Sequence, residues 1–263
     1  MIRLLPMALR SRSENLTPPN PPLIKGGWGD FGWGFFIFFI LPFAFLIVSS
    51  PVLAAAITGK VEIAGSYSIK PRKNLEEGIK AERSLIVSKD GGIKDAVVFI
   101  KGINLSRDVL KREETSSLIQ KEVAIDQKRK AFIPHVLPIL VGTTVTFKNS
   151  DPFVHRIISN SETKKIRMEF AYEGATMNVT FDKSGVVDVW CDDHKRMQGW
   201  ILVMETPFFA ATDGKGDFII SNVPPGRYTI EVWHEVLGVQ TQEIEVKEGK
   251  DNRVDFRLPG KEF

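Results

Sequence analysis

From residue 57 onward, apolar and polar residues alternate with a period of two over most of the chain, the pattern of half-buried strands. It is clean in Ile57-Thr-Gly-Lys-Val-Glu-Ile63, in Thr143–Lys148 with Val145 and Phe147 on one face, and in Met177–Phe181. Asp95–Gly102, Val154–Ser159, Val186–Cys191 and Trp200–Met204 read as more apolar strands. Pro134 and Pro138 break residues 131–142 into short edge strands. Turns are marked by Asn149-Ser-Asp-Pro152 and Asp182-Lys-Ser-Gly185. Beyond residue 206 the signals repeat: a hairpin at Thr212-Asp-Gly-Lys-Gly216, then Phe218–Ile220, Asn222-Val-Pro-Pro-Gly226, Tyr228–Val232, Ile244–Val246 and Val254–Leu258. Residues 70–92 and 104–121 are charged or polar without a sustained period and read as solvated loops. No stretch is helically amphipathic and no internal repeat is visible. The pattern predicts an all-β chain built from sandwiches.

The N-terminus is different. Residues 35–48 form a fourteen-residue apolar run, preceded by Arg3, Arg10, Arg12 and Lys25 and followed by small residues around Ala54-Ala55-Ala56. This is the layout of a secretory leader cleaved after Ala54 or Ala56. Phe31–Gly59 carries no charge, so an uncleaved membrane anchor is the alternative reading. Residues 1–54 are accordingly expected to be a signal peptide or anchor, and the rest of the chain to work on the periplasmic or extracellular side of the membrane. The net charge of +3 comes mostly from this segment, leaving 31 basic against 30 acidic side chains beyond it. No clustered basic face of a nucleic-acid binder is evident.

The chain has one cysteine. In an exported protein it cannot close an internal disulfide, which leaves a partner chain, a reactive thiol or a ligand role. Its surroundings favour the last. Trp190-Cys-Asp-Asp-His-Lys-Arg-Met197 follows a strand and reads C-x2-H-x2-M. Cys191 shares strand parity with Val187 and Val189, and His155 with Phe153 and Ile157, so both should point to apolar faces. A thiolate and two imidazoles with a weak thioether suit copper in both oxidation states. Zinc sites more often use two or more cysteines, or three ligands without Met. His135 and His234 read as hydrogen-bonded structural histidines. No Ser/His/Asp order, nucleotide loop or zinc-protease motif occurs, so no enzyme is expected.

Residues 120–204 resemble the cupredoxins, the plastocyanin and amicyanin family, on Phe132-Ile-Pro134, Val141–Asn149, Pro152-Phe-Val-His155 and Cys191–Met197. The short C-x2-H-x2-M loop is more like that of amicyanin. The resemblance implies a Greek-key sandwich with a type 1 copper ion held by His155, Cys191, His194 and Met197. Two features depart from the family. Asn commonly follows the first His and ties the ligand loops together; here it is Arg156. The loop between the second His and Met is often apolar; here it is Lys195-Arg196. The segment Thr212–Phe218 through Val223-Pro-Pro-Gly-Arg-Tyr228 resembles carboxypeptidase regulatory-like, transthyretin-like sandwiches, with Ile57–Val61 and Asp95–Val98 in the places of that family's first two strands.

The resulting expectation is a copper domain at 118–204 inserted into a discontinuous second sandwich of 55–105 and 205–263. The functional reading is a one-electron carrier. His194 would be its port, with Trp190 shielding the metal and Lys195 and Arg196 steering an acidic periplasmic partner such as a c-type cytochrome or an oxidoreductase. A copper-binding module for delivery, storage or sensing is the alternative, and a structural β-protein with a vestigial site is a third.

Overall fold

The structure is a computed structural model that describes residues 55–65, 85–102 and 123–260. The leader and most of the two polar segments lie outside the described residues. Seventeen strands are present among the described residues and no helix.

Two strands precede the polar connection: β1 (Ala55–Ala64) and β2 (Val97–Lys101). Nine follow: β3 (Val123–Gln127), β4 (Phe132–Ile133), β5 (Val136–Leu140), β6 (Thr144–Asn149), β7 (His155–Asn160), β8 (Lys165–Phe170), β9 (Thr176–Thr180), β10 (Gly185–Cys191) and β11 (Gln198–Met204). The last six are β12 (Phe209–Ala211), β13 (Asp217–Val223), β14 (Gly226–His234), β15 (Gly238–Val246), β16 (Asn252–Arg253) and β17 (Phe256–Pro259).

The middle nine strands make two sheets, ordered β5-β11-β10-β7-β8 and β4-β3-β6-β9. Their inward residues form one core that includes Ile125, Phe147, Phe170, Phe181, Val187 and Ile201. Burying each such side chain contributes about 1.5–3 kcal/mol, which is why the alternation along β6 and β10 sets the faces. β8 is not among the strands expected above, although Lys165-Ile-Arg-Met-Glu-Phe170 alternates. Its Phe170 is fully buried and pairs with His155.

The other strands make the second pair of sheets. β1 runs antiparallel to β13 and parallel to β16 and β17, while β2 lies between β12 and β14, with β15 beyond. Their core gathers Ile57, Val61, Val98, Phe218, Ile230 and Phe256. Part of the stretch read as a solvated loop belongs to this core: Leu85 is buried and Val87 packs against the cluster. An isolated apolar residue among charges shows no period, so burial of Leu85 left no signal in the sequence. Asp95, read as the first strand residue, instead has a φ of 62°, and β2 starts two residues later.

The two sandwiches meet over a small apolar seam of Val97, Val136, Leu202 and Met204, flanked by Trp200 and Trp233, whose rings stand edge to face with centroids 5.6 Å apart. Glu235 seals it: its carboxylate accepts hydrogen bonds from the Trp200 indole and the His135 imidazole. Trp200, at its edge, lies three residues after Met197 in the chain.

Candidate metal centre

β7 and β10 are antiparallel neighbours, so the first residue of one and the last of the other share an end of the sandwich. Those residues are His155 and Cys191. Both are buried, with side chains on the core face beside Ile157, Val187 and Val189. The loop that follows Cys191 folds as two consecutive turns. The His194 amide donates to the Cys191 carbonyl at 3.3 Å, the Met197 amide to the His194 carbonyl at 2.8 Å, and the Cys191 amide to the Met197 carbonyl at 2.9 Å. A three-residue spacing repeated twice is what two such turns require. It returns His194 and Met197 to the same end of the sandwich.

The donors converge. Cys191 Sγ lies 3.5 Å from His155 Nδ1 and 3.4 Å from His194 Nδ1, and one ligand atom from each of the three residues falls within 4.8 Å of the others. Metal–nitrogen and metal–sulfur bonds of about 2.0–2.3 Å with such donor separations correspond to angles of roughly 105–110° at a shared ion. The two sulfur–nitrogen separations therefore suit one shared ion. Met197 is buried in the same cluster as Cys191 and supplies a thioether to this end of the core. No other group of three or more His, Cys, Asp and Glu side chains placed to share an ion occurs among the described residues.

The electrostatics suit a ligand set. Burial pushes the Cys191 thiol above its ordinary pKa, against backbone hydrogen bonds from Arg156, Asp193 and His194. A metal must therefore displace a proton from this thiol. Burial, and then the charges of His155 and Lys130, hold the His194 imidazole below its usual range, so it is neutral and free to donate a lone pair at ordinary pH. The His155 ring is held from behind by Asp151, whose Oδ2 is 3.1 Å from Nε2. His194 is half-buried, between the buried His155 ring at 4.8 Å and the exposed Phe153 ring at 5.8 Å.

The tie between the ligand loops is made differently from the cupredoxin pattern. The Arg156 amide donates to Asp193 Oδ2 at 3.0 Å, its guanidinium forks onto the same carboxylate, and the Asp192 amide donates to the Arg156 carbonyl at 2.8 Å. The residue that departs from the family pattern thus forms the bridge with an aspartate inside the C-x2-H loop. Lys195 and Arg196 are exposed. His135 and His234 stand apart from the donors. His135 binds Glu235 at the seam, and His234 Nδ1 accepts the Val236 and Leu237 amides.

Comparison with known proteins agrees on the second sandwich. Residues 201–259 match the carboxypeptidase regulatory-like domain. The matched stretch begins within β11, which pairs with β10 and β5 of the donor-bearing sandwich, and it leaves out β1 and β2, which pair with strands of the regulatory-like region. No curated protein matches the chain. Three solved structures are similar over 32% of this chain. A copper-containing nitrite reductase from Thermus scotoductus SA-01 is 29% identical with a TM-score of 0.31, and this chain covers 23% of it. A purple cupredoxin from Nitrosopumilus maritimus is 26% identical with a TM-score of 0.29 and is covered in full, 100%. A reduced amicyanin variant is 20% identical with a TM-score of 0.30 and is 84% covered. What points to a metal is the donor set that this chain itself assembles.

Proposed function

We propose that the chain is an exported type 1 copper protein that carries single electrons between periplasmic partners. The observation that carries this reading is the convergence of two imidazole Nδ1 atoms on one buried thiol, at 3.4 and 3.5 Å, with the Met197 thioether in the same cluster. Copper there would be held by the His155 and His194 imidazoles, the Cys191 thiolate and the Met197 thioether, and would supply a one-electron couple, because such a donor set suits both of its oxidation states. The protein's part is to hold the donors still. The Arg156–Asp193 bridge pins the ligand loop to β7, and the fully buried core under Cys191 excludes water. Both reduce rearrangement when the charge changes.

His194 is the only donor residue that is not fully buried, which makes it the natural exit for an electron. Beside it stands the exposed ring of Phe153, followed in the chain by the exposed Val154, with the Lys130 ammonium 5.3 Å above the Phe153 ring and with Lys195 and Arg196 next to His194 in the chain. An apolar centre with a basic rim suits a partner with an acidic face, such as a c-type cytochrome or an oxidoreductase. The apolar run at 35–48 supports delivery across a membrane, by cleavage or as an anchor, and N-terminal sequencing of the exported protein distinguishes the two.

The test is optical. Cu(II)-loaded protein should show intense thiolate-to-copper absorption, lost in Cys191→Ala. A colourless Cu(II) complex of the folded protein would overturn the assignment. A coloured protein that surrenders its copper readily to a partner and does not cycle reversibly would be a delivery module. Electron exchange with the partner should slow as salt rises and on charge reversal of Lys195 and Arg196, with the spectrum unchanged. A rate indifferent to both would leave these two side chains without a role in docking.

A further inference from the structure

A buried carboxylate stands behind the first ligand, and it does two jobs at once. Asp151 is nearly inaccessible, and its carboxylate meets two backbone N–H groups and one imidazole nitrogen. Oδ1 takes the Arg129 amide at 2.6 Å; Oδ2 takes the Lys130 amide at 2.8 Å and faces His155 Nε2 at 3.1 Å. The Asp151 amide in turn donates to Asn149 Oδ1 at 3.0 Å, while the Asn149 side-chain amide donates to the Phe153 and Tyr172 carbonyls. The segment between β6 and β7 is thus built to present this carboxylate at one place.

The turn it captures is an unusual one. Lys128 and Ala131 exchange both backbone hydrogen bonds across Arg129 and Lys130, whose φ angles are 56° and 57°. A two-residue hairpin with both central residues left-handed favours Asn-Gly, because other side chains are strained there. Here it is Arg-Lys, and the two strained amides point at Asp151. Strain of this kind persists where surrounding contacts over-determine it, and it gathers at functional sites.

We propose that Asp151 is the positioning residue of the metal centre. Its carboxylate holds His155 as the Nε2–H tautomer, leaves the Nδ1 lone pair aimed at the site, and places a buried negative charge behind the ligand that favours the more highly charged ion. This rests on the copper reading above. A carboxylate can only accept, so the Nε2 atom it faces must carry the proton. In the other tautomer Nδ1–H would point at Cys191 Sγ and could not bind a metal. The charge acts through the imidazole, strengthening it as a donor to Cu(II) more than to Cu(I).

Two measurements test this. The first needs no metal: 15N NMR of the histidine side chains in the metal-free full chain should show His155 protonated at Nε2. An Nδ1–H tautomer there overturns the proposal whatever the variants do. The second uses Asp151→Asn, which sets an amide N–H among three N–H donors and removes the charge. To keep the fold from depending on the lost carboxylate, it is also made with Arg129→Asn and Lys130→Gly, which relieve the turn. In that background Asp151→Asn, whose oxygen can still accept from Nε2–H while the charge is gone, should lower Cu(II) affinity by about 10- to 100-fold. Cu(I) affinity should fall less and the reduction potential should rise, by about 59 mV for each tenfold difference between the two affinities. An unchanged affinity and potential would reduce Asp151 to a clamp on the turn and overturn the proposal. Failure of the copper reading looks different: the unaltered protein would lack the thiolate absorption while its His155 tautomer still read as proposed.

Discussion

His234 is as buried as His155 and Cys191 and does a different job. Its Nδ1 accepts the Val236 and Leu237 amides at 3.1 and 3.4 Å, so the ring proton sits on Nε2, which is buried without a partner. Burial holds this imidazole down to about 4, with the Glu235 carboxylate pulling weakly the other way and His135 adding to the depression. In the unfolded chain it titrates near ~6.5. Between these values the unfolded chain binds more protons than the folded one. The stability His234 contributes is therefore complete above about pH 6.5 and drains away as pH falls toward 4, by about 3 kcal/mol in all. His234→Asn keeps an oxygen for the two amides and cannot titrate. Denaturant unfolding followed from neutral pH to about 4 should lose less stability in the variant than in the parent protein. Parallel losses would mean that other groups govern the acid limb.

At the scale of elements, β1 carries a very close backbone contact. It is paired on both edges and crossed closely by the chain leading out of β16. A Cβ on Gly59 would lie 1.8 Å from the Val254 carbonyl oxygen and 2.7 Å from the Phe218 ring. The carbonyl belongs to backbone fixed by the Val254 amide, which donates to Thr58 at 2.9 Å. It cannot swing away, so Gly59→Ala must part the strands. Overpacking of this kind costs about 1–3 kcal/mol or more. A Cβ on Gly214, in the hairpin before β13, would have nothing within 4 Å. Gly214→Ala should therefore lie within about 0.5 kcal/mol of the parent. Thermal unfolding of the two single variants gives the comparison, with a midpoint several degrees lower for Gly59→Ala alone. Equal midpoints would contradict the close passage of Val254 over β1.

For the whole molecule the question is which pieces fold together. β13 finds its hydrogen-bonded neighbour in β1, and β14 is flanked by β2, so the C-terminal strands have their partners far upstream. The Thr212 hydroxyl adds a buried link, donating to the Ile93 carbonyl at 2.7 Å and accepting the Ala96 amide at 2.9 Å. We infer that 55–105 and 205–263 are one folding unit interrupted by the copper domain at 118–204. A polypeptide of residues 205–263 alone would expose two sheet edges and half a core. Its circular dichroism should be that of an unfolded chain until a 55–105 peptide is added, whereas 118–204 should fold alone and take up copper with the spectrum of the full protein. Independent folding of 205–263 without affinity for the peptide would refute the discontinuous unit.

Much of the donor set was legible because it is local. Cys191, His194 and Met197 sit within seven residues, and strand parity with their immediate neighbours is enough to aim Cys191 and His155 inward. All-β character was legible for the same reason, since a period of two is a property of consecutive residues. Pairings across long stretches of chain were not. The carboxylate behind His155 is four residues away in sequence, but its role depends on two amides of a turn some twenty residues earlier. The Arg156–Asp193 bridge joins residues 37 apart, and the His135–Glu235 contact at the seam joins residues 100 apart. Leu85 looked like loop because one apolar residue among charges has no period to read. The sequence alone determines which faces are apolar and which residue types can hold a metal, because both follow from neighbours along the chain. Which N–H meets which carboxylate is decided only when the sheets stack, because that choice depends on distances the chain closes in three dimensions.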